Sequence, residues 1–208
     1  MSAPPASRAA RQEETRAALV DTAERLFMEN GYHATSLDAI AREAGFTKGA
    51  VYANFDSKED LFLEVYARRS QRFVEETGAL INELGPAETL HRLARETSTR
   101  RGRDDGWLAV YFEFWAHVLR NPHLRARFAA LRARSRKPLE AALTQVAEAD
   151  GRRTPRNLTP AVVAMNALQL GVALERLTDP EVVPATLAER ISRLALDNLD
   201  PSLLEDLR

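Results

Sequence analysis

Along residues 11–62 the apolar positions recur every three or four residues and stop at glycines. Leu19, Ala23, Leu26 and Phe27 fall on one face at i, i+4, i+7 and i+8 in a segment running from Arg11 to Asn30. Asn30-Gly31 supplies a stop, because glycine accepts the left-handed conformation that closes a helix. Ser36 is placed to cap a second helix whose apolar face is Leu37, Ile40, Ala41 and Ala44, and Gly45 ends it after two turns. A third short helix is predicted over 48–55, with Val51 and Phe55 inward beside Phe46. Ser57, with Asp60 three residues on, opens a long helix through Leu61, Phe62, Val65, Phe73 and Leu80 to about Leu84.

Beyond that point proline sets the boundaries. Gly85-Pro86 ends the long helix. Asn121-Pro122 and Thr159-Pro160 read as a cap followed by a first-turn proline, whose fixed φ suits that turn and whose missing N–H is not needed there. Pro180 and Pro184 bracket the start of a last helix ending near Leu199, and Pro138 should kink or split a helix over 122–148. The pattern predicts an all-α chain of about nine helices, with no strand and no internal repeat. Residues 1–9 read as an arm and 150–158 as a loop.

Composition narrows the class. Apolar residues make up 45% and charged residues 28%, enough for a real core and unlike a disordered chain. Cysteine is absent, so disulfides and thiolate metal sites are excluded. The start, MSAPPASRAARQEE, lacks the apolar stretch of a signal peptide. The most apolar window, 107–119, is too short to span a bilayer and contains Glu113. These features predict a soluble cytoplasmic protein with no membrane partner. The net charge is −1, and residues 1–60 carry seven basic and ten acidic side chains. Any nucleic-acid contact must therefore come from charge arranged on one face, not from bulk charge.

The stretch TKGAVYANFDSKEDLF (47–62) then stands out. With Val51 and Phe55 inward, Thr47, Lys48, Tyr52 and Asn54 lie on or beside the outer face, separated by Gly49, Ala50 and Ala53. Small residues let a helix sink into a major groove, and polar ends reach base edges or phosphates. Two short helices joined at a glycine, with this face on the second, have helix-turn-helix spacing.

TRAALVDTAERLFMENGYHATSLDAIAREAGFTKGAVYANFDSKEDLF resembles the DNA-binding domain of the tetracycline-repressor (TetR) family of bacterial transcription regulators, over roughly residues 12–62. Asn54 departs from the histidine common there, which leaves base preference open. The resemblance implies a homodimer bound to a palindromic double-stranded DNA operator and released by a small-molecule effector. It implies DNA contacts from Thr47, Lys48, Gly49, Tyr52 and Asn54, and phosphate contacts from Thr35, Ser36 and Lys58 with Tyr32 nearby. Arg8 and Arg11 would add an arm contact. Residues 1–58, with an arm at 1–10, would be the DNA-binding domain, and 59–208 would bind the effector and dimerise.

For the effector, Trp107, Tyr111, Phe114, Trp115 and His117 crowd one helix, with Met165 and Gln169 as further candidates. Core packing and a cavity lined by aromatics both fit such a helix. For the dimer, Val163, Ala167, Leu170, Gly171 and Leu174 form one stripe and Leu187, Ile191 and Leu194 another. Each could equally be core. The basic run at 125–137 reads as a solvated helix face, since alanines and leucines interleave its six cations. His33, His91, His117 and His123 have no metal-ligand spacing, and no catalytic set or phosphate loop is evident, so no metal, cofactor or enzyme activity is expected. An activator, a helical binding protein without specific DNA binding and a helical enzyme are the other readings.

Overall fold

A computed structural model describes residues 8–99, 105–149, 151, 157–184 and 186–197. Among these the chain is helical: α1 (Arg8–Asn30), α2 (Leu37–Glu43), α3 (Lys48–Tyr52), α4 (Lys58–Leu84), α5 (Pro86–Thr99), α6 (Asp105–Arg120), α7 (Pro122–Ala149), α8 (Thr159–Thr178) and α9 (Leu187–Asp197). The chain forms two compact units. The first is Met1–Arg69 with Gly106–Phe128, and the second is Ser70–Asp105 with Ala129–Arg208. The division expected at 58/59 separates roles; the packing instead gives the first unit the opening turns of α4 and most of α6.

In the first unit α1, α2 and α3 bury Leu19, Ala23, Phe27, Ile40 and Val51 from the predicted faces. Gly31 and Gly45 turn the chain with φ of 85° and 74°, values that strain residues carrying a Cβ. A continuous aromatic core follows. Phe62 of α4 stacks on Phe114 at 4.0 Å and meets Phe27 and Tyr32 edge-on, both at 5.3 Å. Trp107 lies parallel to Phe62 at 5.6 Å, and the Arg69 guanidinium lies over the Trp107 ring at 4.3 Å. At Gly106 an added Cβ would stand 2.8 Å from the Met28 carbonyl oxygen, so α6 meets the end of α1 backbone to backbone.

In the second unit Leu90, Ala142, Leu143, Leu158, Ala161 and Val162 form an apolar cluster, with Ile81, Leu139, Val146 and Met165 around it. Arg95 ties α5 to Glu189 of α9 and also pairs with Glu88, whose carboxyl it holds below the usual range.

Three boundaries differ from the sequence reading. α7 continues through Pro138 without a break. The lost backbone bond and the ring's clash with the preceding turn, together about 3 kcal/mol, are offset by anchors on both sides, Phe128 before it and Ala142 and Leu143 after it. α8 is capped at Leu158, not Thr159: the Asn157 side chain accepts the Thr159 N–H at 3.0 Å, and the Thr159 hydroxyl donates to Glu140. α1 begins by Arg8, so Arg8 and Arg11 sit in its first turns; the expected arm is otherwise outside the described residues, as is most of the 150–158 loop. The Asn121 amide donates to the His117 carbonyl at 2.7 Å, serving the end of α6.

Phe114 is fully buried among four rings. Phe114→Ala should lower unfolding free energy by about 3–5 kcal/mol in urea titrations followed by circular dichroism.

Candidate nucleic-acid interface

The helix-turn-helix geometry is set by two hydroxyl caps. Ser36 accepts the Ala39 N–H at 3.1 Å and opens α2; Thr47 accepts the Ala50 N–H at 3.3 Å and opens α3. Both side chains are exposed and each hydroxyl proton points away from the cap it makes. α3 ends at Tyr52, shorter than the predicted 48–55, yet Val51 and Phe55 are buried as expected.

The outward face carries Thr47, Lys48, Gly49 and Tyr52, with Tyr52 49% exposed. The Lys48 ammonium meets Asp38 at 2.9 Å and lies 5.8 Å from the Tyr52 ring centroid. Hydrogen bonding to Asp38 raises its pKa, so it is a cation at any working pH. Such an exposed pair contributes little to stability and is readily exchanged for another anion. Asn54 is turned back: its side-chain amide donates to the Ala50 carbonyl at 2.8 Å, and its own carbonyl accepts from Arg16 at 2.9 Å. Its side chain thus fastens the end of α3.

Beneath this face the structure reassigns three residues. Thr35 is 3% exposed, and its hydroxyl donates to the carbonyls of Gly31 at 2.8 Å and Leu26 at 3.1 Å. With the proton committed and the side chain buried, it is a clamp and not a phosphate ligand. Lys58 donates to the carbonyls of Tyr32 at 2.9 Å, Thr35 at 3.1 Å and His33 at 3.4 Å, and its ammonium sits 4.4 Å from the Tyr32 ring centroid. Burial lowers its pKa, while the charges of Glu59 and Glu113 favour the ammonium. All three of its donors are directed at backbone, which takes it off the DNA face. Tyr32 is buried, and its hydroxyl has no hydrogen-bond partner; Glu59 beside it is engaged by His117 at 3.0 Å. Burial, and then the charge of Glu59, push the Tyr32 phenol far above its usual range.

The proposed effector contacts separate. Trp107, Tyr111, Phe114, Trp115 and His117 come together in the first unit, but as packing. Tyr111 stacks on Tyr66 at 5.8 Å, Trp115 meets Tyr111 edge-on at 5.2 Å, and His117 is bonded to Glu59. An aromatic stripe cannot by itself distinguish a cavity wall from a core; here Phe114 and Tyr111, the two buried members, stack on Phe62 and Tyr66 of α4. Met165 borders the apolar cluster of the second unit, and Gln169 is half-buried on α8. In the basic run, Arg127 pairs with Asp60 and Arg125 donates to the Leu119 carbonyl, so these two are not simply solvated. Among the described residues no group of three His, Cys, Asp or Glu side chains could hold a metal, and no helix is long and apolar enough to cross a membrane.

Sequence reasoning missed Glu113 and Glu59. Each had a local signal, a carboxylate within an otherwise apolar or capping stretch, but their partners lie 80 and 58 residues away.

The caps, glycine turns and outward polar face define a helix-turn-helix protein, and comparison with known proteins gives its family. Residues 19–65 match the model of bacterial regulatory proteins of the tetR family, and residues 86–201 match that of the C-terminal part of BetI-type transcriptional repressors. The chain belongs to the TetR family. It is 48% identical over 54 residues to the transcriptional regulator AcrR of Shigella flexneri, covering 26% of this chain and 25% of that one. It is 31% identical over 106 residues to the transcriptional activator FasR of Mycolicibacterium smegmatis, covering 51% and 42%. The matches thus span between a quarter and about two fifths of these relatives' lengths. The fold matches FadR of Bacillus subtilis in complex with stearoyl-CoA with a TM-score of 0.67 at 18% identity, covering 86% of this chain and 96% of that one.

Two substitutions separate clamp from surface. Thr35→Val should destabilise by about 1–3 kcal/mol, since it removes a buried donor from two carbonyls, whereas Asp38→Asn should leave the urea midpoint unchanged. Tyr32→Phe removes a buried hydroxyl that lies beside Glu59 without hydrogen-bond geometry, so stability at neutral pH should change by no more than about 1 kcal/mol. The raised phenol pKa means that the folded state keeps a proton the unfolded state loses. Wild-type stability should therefore fall as pH rises past about 10, and Tyr32→Phe should reduce that fall in urea titrations at pH 8 and 10.5.

Proposed function

We propose that this protein is a ligand-responsive, DNA-binding transcriptional regulator, acting as a homodimer and as a repressor. The observation that carries the reading is the open face of α3. At Gly49 an added Cβ would meet nothing closer than the Thr47 hydroxyl at 3.9 Å. Nothing among the described residues requires glycine there, and glycine within a helix costs up to about 1 kcal/mol relative to alanine. A second body that approaches the backbone closely gives the position a reason, and a major groove is such a body. Tyr52 and Lys48 flank the gap, as an exposed aromatic and a cation ready to change partners. Ser36 and Thr47 offer hydroxyl protons to phosphates at the positive ends of their helices.

The second unit supports the dimer. On α8, Val163 is 41% and Leu174 43% exposed, with exposed Ala167 and Gly171 and half-buried Leu170 on the same stripe. Nothing lies within 4 Å of a Cβ built on Gly171. Leu187, Ile191 and Leu194 of α9 extend the apolar surface. A twofold mate packed here would give two α3 helices, matching a palindromic operator with half-sites about 34–36 Å apart.

The BetI-type match favours repression; the likeness to FasR supports an activator as the second reading. The effector is taken to be a small apolar or aromatic molecule. The inward packing of Tyr111 and Phe114 favours Met165 and Gln169 over the α6 aromatics as its contacts. Release of DNA by the effector requires that DNA weaken effector binding by the same factor.

The test is a fluorescence-anisotropy titration against a duplex that the protein selects from a random library. Tyr52→Ala and Lys48→Ala should each weaken binding about tenfold or more. If Lys48 holds a phosphate, its loss should also lower the salt slope by about one. Gly49→Ala should leave the fold as stable or more so and still weaken binding. Wild-type affinity for Gly49→Ala removes the argument from the open α3 face, and selection of no sequence by the wild type contradicts the DNA-binding reading itself.

A further inference from the structure

Two oppositely charged side chains hold the backbone of residues 31–35 by its two polarities. From the start of α4, Lys58 donates to the carbonyls of Tyr32, His33 and Thr35. From α6, the Glu113 carboxylate accepts the His33 N–H at 3.1 Å. The same carboxylate fills the space beside Gly31, where an added Cβ would stand 2.7 Å from Oε1. Gly31 is required by its positive φ, and any Cβ there would also push the Glu113 carboxylate out of its seat. The charge of Glu113 also supports the Lys58 ammonium against burial. The segment held in this way leads directly to Ser36, the cap of α2.

A half-buried carboxylate is a costly way to cover part of a helix, so its return must lie in what it binds. The contact is also a directional one between α6 and this loop. Stacked rings tolerate small sliding, whereas a hydrogen bond weakens steeply once distance or angle departs from its narrow range.

We propose that Glu113 is a positioning residue for DNA binding. By holding the 31–35 loop against Lys58, it fixes where Ser36 and α2 present α3. Glu113 touches no base or phosphate; it acts through His33 and Gly31. The inference rests on the DNA-binding reading above, and its test keeps the two apart.

Wild type, Glu113→Ala and Glu113→Gln are titrated with the selected duplex and with a scrambled duplex of the same composition. The exchange rate of the His33 amide is followed by NMR without DNA. In Glu113→Ala the His33 amide should exchange about tenfold faster or more, and affinity for the selected duplex should fall by a similar factor, as expected for losing a bond to a charged acceptor. Affinity for the scrambled duplex, which reports charge and not the placement of α3, should stay within about twofold. Glu113→Gln keeps an acceptor and should restore both readouts to within about threefold. Unchanged His33 exchange in Glu113→Ala overturns the contact. Faster exchange with full selective affinity overturns the positioning role, as does equal loss on both duplexes. If Glu113→Ala loses helical signal, Glu113→Asp, one methylene short of the loop, carries the same comparison. Absence of any selectivity in the wild type defeats the DNA reading instead, while the amide exchange still decides the contact.

Discussion

The chain must reverse between α1 and α2, and the reversal leaves the carbonyls of Tyr32, His33 and Thr35 facing one ammonium, that of Lys58. Buried backbone groups need partners, and a segment this close to the core cannot take them all from water. Lys58 meets three acceptors with its three protons and lays its charge against the Tyr32 ring. The Thr35 hydroxyl closes the other side of the turn on Gly31 and Leu26. Everything downstream inherits this arrangement, because the next residue is the cap of α2, and α2 with its glycine turn carries α3.

The same constraint explains where the aromatic residues go. Tyr32 is the inner wall of the loop, and its neighbours are Phe27, Phe62, Phe114 and His117. Rings from α1, α4 and α6 thus share one core, and the loop rests on it. Phe62 stands at the centre, stacked with Phe114 and Trp107 of α6 and met edge-on by Phe27 of α1. The polar ties of α6, Glu113 to His33 and His117 to Glu59, lie along the margin of that core and fix its register.

Much of this was legible in the sequence. The faces of α1 and α2, the caps at Ser36 and Ser57, and the stops at Gly31, Gly45 and Gly85 are local events, and local spacing records them. The outward placement of Lys48 and Tyr52 follows from Val51 and Phe55 pointing in. What spacing could not carry is partnership across the chain. Thr35 and Lys58 look alike in sequence whether they face phosphate or backbone; only the return of α4 beside the loop settles which. Trp107 to His117 form the same stripe on a cavity wall or in a core, and the answer lies in Phe62 and Tyr66 of another helix. Pro138 does not split α7, because helix interruption is a local preference and packing on both flanks overrides it.

The helix-turn-helix leaves one side open among the described residues: Ser36 and the α3 surface from Thr47 to Tyr52, small in the middle and polar at its ends. Its use is open to direct observation by hydrogen–deuterium exchange of the whole chain with and without the selected duplex. The account predicts slowed exchange over residues 36–54 that appears with the selected duplex and not with a scrambled one at equal occupancy. Protection confined to the basic run at 125–137, or the same protection with both duplexes, would contradict it.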